Sequence, residues 1–161
     1  MKTLVFVRHG KSSWEHAVDD QKRPLKKRGI TDANLVVNSF KSTRLIPDFV
    51  ISSPAKRAFD TCKIFLKDLE ISYEKVLISP VIYDFSGGET LNFIKLLSDD
   101  HKNVMIFGHN HALTALVNLL GSIKIDNVPT SGLVMIEFNV DSWIDIENGI
   151  TIQITFPKQL R

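Results

Sequence analysis

The stretch Leu4-Val5-Phe6-Val7-Arg8-His9-Gly10 decides how this chain is read. Four consecutive apolar residues leave no polar face for water. That predicts a strand buried on both sides, as in a parallel sheet covered by helices. The run stops at Arg8, His9 and Gly10, and open α/β sheets carry their ligand sites at the carboxyl ends of strands. An arginine there offers a planar fork of donors, and a histidine a nucleophilic or proton-carrying nitrogen. A glycine lets the backbone turn tightly and approach a ligand.

Working outward, the same apolar grammar recurs. After a first strand over Thr3–Val7, the polar segment Lys11–Arg23 shows no periodicity and reads as a loop over one face. A helix is expected over Lys26–Lys41, where Ile30, Ala33, Val37 and Phe40 recur at helical spacing. Strands are expected at Asp48–Ile51, Tyr73–Ile78 and Val104–Phe107, and further helices at Pro54–Leu69, Thr90–Leu97 and His111–Leu120. Ser53-Pro54 reads as an N-cap with a first-turn proline. Leu133–Phe138 and Ile150–Phe156 alternate enough to form an antiparallel pair at an edge. Strands alternating with helices imply an α/β fold: a three-layer α/β/α sandwich whose central sheet is mostly parallel with an antiparallel edge.

A chain of 161 residues predicts one domain, spanning 1–161, with enough length to bury a core. Hydrophobic residues at 43% and charged residues at 24% argue against disorder. A formal charge of +2 is far from the footprint of a dedicated nucleic-acid binder. The single cysteine, Cys62, cannot close an internal disulfide, which points to a reducing compartment. The amino terminus runs straight into a strand, and no apolar stretch reaches signal-peptide or membrane-spanning length. A cytoplasmic protein without membrane contact is expected.

Three strand-to-helix junctions carry unusual polar residues: Arg8-His9-Gly10, Ser52-Ser53-Pro54-Ala55-Lys56-Arg57-Ala58, and Gly108-His109-Asn110. If those strands are parallel neighbours, the junctions face one sheet edge and gather Arg8, His9, Arg57 and His109. Two guanidinium groups and two imidazoles make an anion site, and the natural tetrahedral anion is phosphate. Backbone N–H groups at the helix starts add donors. A neutral His9 could then attack phosphorus, provided its other ring nitrogen donates to a backbone carbonyl. Arg8, Arg57 and a protonated His109 would hold the equatorial oxygens. Side chains supply the positive charge, so the chemistry calls for no metal and no cofactor. His109 and His111 lack the cysteine or clustered carboxylates of a metal site. No Gly-rich nucleotide loop occurs either.

Val7-Arg8-His9-Gly10, Ser53-Pro54 with Arg57-Ala58 and Thr61, and Gly108-His109-Asn110 resemble the histidine phosphatase superfamily, the phosphoglycerate-mutase-like family. Arg8 through Trp14, then Asp20, Arg23-Pro24-Leu25 and Arg28-Gly29, are similar to the small SixA-type phosphohistidine phosphatases. The likeness runs from Thr3 to about Leu120. It implies a histidine-phosphatase-like fold and a metal-independent phosphatase acting on a phosphorylated histidine of a protein. His9 would be the phosphorylated nucleophile, and Arg8, Arg57 and His109 the phosphate pocket, with Gly10 and Asn110 as further phosphate contacts. Larger relatives carry a glutamate after the third strand, which Ile82-Tyr83-Asp84 echoes, so Asp84 is the candidate acid. The SixA-type members manage without a strong one, because the leaving nitrogen of a phosphoramidate takes its proton from solvent.

Lys22, Arg23, Lys26, Lys27 and Arg28 form the densest positive charge. The plain reading is a solvated helix start. The resemblance sets this segment beside the site, with Arg23 and Lys26 as a rim that steers an acidic partner. Trp14 reads as a loop residue packed on the fold, or as a rim contact. Cys62 reads as a buried structural thiol. The connection from Ile78 to Thr90 is too short for a lid, which favours a side chain on another protein, such as a phosphotransfer domain or phosphocarrier. The alternatives are a small-molecule phosphate-ester phosphatase and a non-catalytic phosphate-binding signalling module.

Overall fold

The computed structural model describes residues 1–161. Six strands form one sheet: β1 (Lys2–Arg8), β2 (Phe49–Ser52), β3 (Val76–Ile78), β4 (Asn103–Gly108), β5 (Leu133–Phe138) and β6 (Ile150–Thr155). Four helices accompany them: α1 (Lys27–Phe40), α2 (Lys56–Leu69), α3 (Gly88–Lys95) and α4 (Ala112–Leu120). The strand order is β3-β2-β4-β1-β5-β6. The first four run parallel, and β5 and β6 close one edge antiparallel. This is the mostly parallel α/β sandwich with an antiparallel edge that the sequence leads one to expect.

The continuous apolar run of β1 splits between two cores, because successive side chains on a strand face opposite ways. Leu4 and Phe6 join Ile51, Val104 and Ile106 under Leu113, Leu116 and Val117 of α4. Val5 and Val7 join Val50, Met105 and Phe107 under Ala33, Val36 and Phe40 of α1 and Cys62 and Phe65 of α2. A strand sandwiched in this way has no water-facing residue to give, so its sequence cannot alternate.

Register is what places the functional residues. Arg8 pairs with Gly108 across β1 and β4, and Ser52 pairs with Phe107 across β2 and β4. His9, Ser53 and His109 therefore leave the sheet at one level of one edge. His9 N–H donates to the Gly108 carbonyl at 3.2 Å, and Ser53 N–H to the Phe107 carbonyl at 3.0 Å, which locks the three exits together.

Three elements differ from expectation at an end by two residues or more. Tyr73–Lys75 is a 3-10 turn capped by Ser72, and only Val76–Ile78 pairs with β2. The helix expected from Pro54 starts at Lys56 after Ala55, and Ser53 is not its N-cap. The helix expected from Thr90 starts at Gly88, because the Asp84 carboxylate holds its first turn. Gly87 precedes it at φ +101°, a conformation that favours glycine.

The segment between β1 and α1 is a loop, and it folds back on itself. Ser12 and Leu25 form an isolated bridge, Ser13 N–H donates to the Pro24 carbonyl, and Lys26 N–H donates to the Lys11 carbonyl at 2.8 Å. Gly29 makes this possible. A Cβ there would lie 2.4 Å from the Lys11 carbonyl oxygen, so only glycine lets the strand-like return lie against the helix. No helix is long and apolar enough to cross a membrane.

Candidate active site

At the shared edge, His9 is buried with its ring centroid 5.3 Å from that of His109. His9 Nδ1 lies 2.7 Å from the Gly10 carbonyl oxygen. A carbonyl only accepts, so Nδ1 carries the hydrogen and Nε2 keeps its lone pair. Burial pushes the His9 imidazole down to about 3, against an upward pull from the Gly10 carbonyl, with His109, Arg57 and Arg8 adding smaller depressions. The ring is neutral, in the tautomer that presents a base or nucleophile at Nε2.

Arg8 Nη1 donates to the Val128 carbonyl at 2.9 Å, which ties the end of β1 to the turn before β5. Arg57, in the first turn of α2, sends Nη1 to the Asp20 carbonyl at 2.7 Å and Nη2 to the Asp20 carboxylate at 2.9 Å. Arg8 Nε, Arg57 Nε and His109 Nδ1 are buried without a partner. Unmet buried polar atoms are uncommon in folded proteins, and here three of them belong to the residues expected to hold an oxyanion. A cavity of about 180 Å³ opens among Arg8, His9, Arg23 and Arg57, with Lys11 and Thr130 at its side.

His109 departs from expectation. Its Nε2 sits 2.8 Å from Ser53 Oγ, and its ring lies against Tyr83 and Phe85. Burial, then Arg57, depress it to about 4. The imidazole is neutral as it stands, where a protonated one was expected, because burial, and after it the neighbouring guanidinium groups, disfavour a charge there.

Three residues expected to touch phosphate or carry the proton are otherwise engaged. Gly10 N–H donates to Thr61 Oγ1 at 2.9 Å, and a Cβ on Gly10 would meet the Gly29 carbonyl at 3.0 Å. Its smallness serves backbone packing, and its donor is spent. Asn110 Oδ1 accepts from Thr114 N–H and Oγ1, while Nδ2 donates to Asn127 and the Val128 carbonyl. It ties the 127–128 turn to α4. Asp84 accepts from Ser86, from Gly87 N–H, and from Thr90 N–H and Oγ1. Burial pulls its carboxyl upward, yet the bonds from Thr90, Gly87 and Ser86 outweigh it and hold the group below its ordinary value. A carboxylate so engaged has no proton to give at neutral pH.

Of the expected rim, Arg23 lines the cavity, while Lys26 does not and contributes its backbone to the loop closure. Arg23 donates to Ser12 Oγ, the Ser13 carbonyl and the Asp20 carboxylate. Its guanidinium carbon lies 3.2 Å from the centroid of the Trp14 ring. Trp14 itself is 75% exposed, so it is not packed on the fold.

The residue that sequence reasoning left without a role is Asp20. It accepts from Arg57, Arg23 and the Tyr83 hydroxyl. Burial opposes its ionisation, but the bonds from Tyr83, Arg57 and Arg23 hold it well below the ordinary carboxylate range. Its only signal in the sequence is the motif position between His9 and Arg23. Ser53 was likewise taken for a helix cap, when its hydroxyl is the partner of His109. No group of three or more His, Cys, Asp or Glu side chains is placed to hold a metal ion.

Comparison with known proteins gives the same picture. The family model described as the histidine phosphatase superfamily (branch 1) matches residues 4–79. An uncharacterised protein of Mycobacterium tuberculosis is 27% identical over 160 residues, covering 93% of this chain and 98% of its own. In fold, the chain is similar to the protein histidine phosphatase SixA complexed with tungstate, with a TM-score of 0.83, 21% identity and 99% of each chain covered. It is also similar to a mycobacterial glucosyl-3-phosphoglycerate phosphatase, with a TM-score of 0.69, 12% identity, and 97% of this chain and 98% of the other covered.

Proposed function

Because residues 4–79 match the model of the histidine phosphatase superfamily (branch 1), we propose that the chain is a phosphatase of that superfamily that hydrolyses phosphohistidine on a protein, through a phosphorylated His9. His9 Nε2 attacks phosphorus, the bond from phosphorus to the substrate's imidazole nitrogen breaks, and that imidazole takes a proton from solvent. Water then adds to the phosphorus on His9, the P–Nε2 bond breaks, and phosphate leaves with the ring restored. Arg8 and Arg57 stabilise charge on the equatorial oxygens throughout. His109 joins them once the dianion arrives, since a nearby negative charge raises an imidazole's affinity for its proton.

One observation carries the choice of substrate class. Both carboxylates near the imidazole pair, Asp20 and Asp84, are saturated with donors and held ionised. Neither stands ready to protonate a leaving alkoxide, which an alkyl phosphate requires. A phosphoramidate does not require it. The short connection over residues 79–87, from β3 to α3, supplies no lid, which suits a side chain displayed by another protein.

A small-molecule phosphate-ester phosphatase is the second reading, favoured by the likeness in fold to the glucosyl-3-phosphoglycerate phosphatase. The deciding experiment offers a phosphohistidine-bearing protein and, separately, simple phosphate esters. Strong preference for the former supports the proposal, and equal or inverse preference favours the second reading. An acid-labile, base-stable phosphoryl label on the wild type that is missing from His9→Ala tests the intermediate. If no substrate is turned over and no label forms, the chain is a phosphate-binding module.

A further inference from the structure

A second cleft, of about 280 Å³, adjoins the catalytic cavity and holds Lys11, Arg28, Thr130, Lys158 and Arg161. Lys11 and Thr130 line both, so the two clefts share a wall. Asp32 is the one carboxylate paired there, bonded to Arg161 at 2.7 Å and lying 3.7 Å from Arg28. Four cationic side chains against one carboxylate side chain leave an excess of three positive side chains here, where the side chains of the whole sequence sum to only +2. Cations in the first turn of α1 also oppose the helix dipole, and that turn holds no acidic residue. So much unbalanced charge in a concave surface disfavours the empty state and attracts an anion.

We infer that this cleft binds a second anionic group of the same substrate, an acidic side chain displayed near the phosphorylated histidine. The inference rests on the phosphatase reading and deepens it. Arg161 is oriented by Asp32, whereas Lys158 makes no ion pair and is exposed, free to meet a carboxylate. A carboxylate on a protein and a second phosphate on a small molecule share this chemistry. The missing lid over the neighbouring cavity favours the protein.

The test compares kcat/KM for two phosphohistidine peptides, one with neutral neighbours and one with Asp or Glu beside the histidine. A third arm compares a small bisphosphate with its monophosphate. The variant is Lys158→Glu, which lies outside the catalytic cavity. Wild type should favour the acidic peptide about ten-fold, through KM, as expected for one or two partly screened charge pairs. Lys158→Glu should erase that preference and leave the neutral peptide unchanged. A preference that survives the substitution, or is absent in wild type, overturns the inference. One confined to the bisphosphate overturns the assignment to a protein. If no peptide is turned over, the phosphatase reading has failed, and the cleft is then judged by binding. Saturable amide shifts at Lys11, Thr130 and Lys158 on titration with the unphosphorylated acidic peptide, lost in Lys158→Glu, support it. Their absence from wild type refutes it.

Discussion

The proposed nucleophile should stay neutral in acid far beyond an ordinary histidine. The perturbation is a fall in pH from 7 to 5 in the phosphate-free protein. An imidazole at its usual 6.5 would be about 3% neutral at pH 5, whereas His9, held at about 3, remains essentially all neutral. The difference in available lone pair is about 30-fold. The direction for stability follows from the same shift. A histidine whose folded value lies below its unfolded value contributes stability that is full above about 6.5 and is lost as pH falls toward the folded value. At pH 5 each of His9 and His109 should have given up about 2 kcal/mol. Two-dimensional NMR of the ring nitrogens, with assignments fixed by His9→Asn and His109→Asn, follows both titrations. Single-turnover labelling of the enzyme, corrected for spontaneous loss of substrate, follows the chemistry. A His9 midpoint between 6 and 7, or phosphoenzyme formation that falls 30-fold between pH 7 and 5 in the still-folded protein, would refute the reasoning.

Replacing Asp84 by Ala should lower the melting temperature by several degrees, the cost of about 1–2 kcal/mol for a lost helix cap, and change kcat on phosphohistidine less than two-fold. A hundred-fold loss of kcat at unchanged stability would make Asp84 an acid after all. Gly29→Ala should damage the loop and the site together, since its Cβ would stand 2.4 Å from the Lys11 carbonyl oxygen. Full activity and an unchanged melting temperature would show that the loop does not depend on that close approach. Cys62 is fully buried, and burial drives its thiol up to about 12, so a thiol-reactive dye should label the protein only as it unfolds. Rapid labelling of native protein would contradict this.

Residues whose neighbours are set by the sheet were legible in advance. Apolar runs that stop abruptly mark strand ends, and parallel neighbours bring those ends to one edge, so Arg8, His9 and His109 could be grouped from sequence. Their hydrogen-bond partners could not. Gly10, Asn110 and Asp84 took their expected roles from the family resemblance, yet each spends its donors or acceptors on Thr61, Thr114 or Thr90, choices fixed by packing. Asp20 was invisible for a different reason. Its segment has no periodicity, and only non-local contacts, through Ser12 with Leu25 and Arg23 with Ser13, bring it onto Arg57. Of the two readings of Trp14, packing on the fold does not hold, while the rim position does: the indole lines the cavity with Arg23 stacked on it.

A carboxylate at the mouth of the proposed phosphate site needs a physical reason. Arg8 and Arg57 lie close enough that Arg57 depresses Arg8, after burial, and Arg23 and Lys11 line the same cavity. Without Asp20 these cations would repel one another, and Arg57, a long side chain with many rotamers, would have nothing to hold its fork. Asp20 takes both terminal nitrogens of Arg57 and leaves Nε unpartnered. Four cations against one carboxylate still leave the cavity attractive to a dianion. The division of labour follows. Register in the sheet fixes the imidazoles, where small errors would misdirect the attacking lone pair. A loop closed on itself carries the residue that orients Arg57. Substitutions in that loop should therefore alter phosphate affinity while leaving His9 and His109 in place.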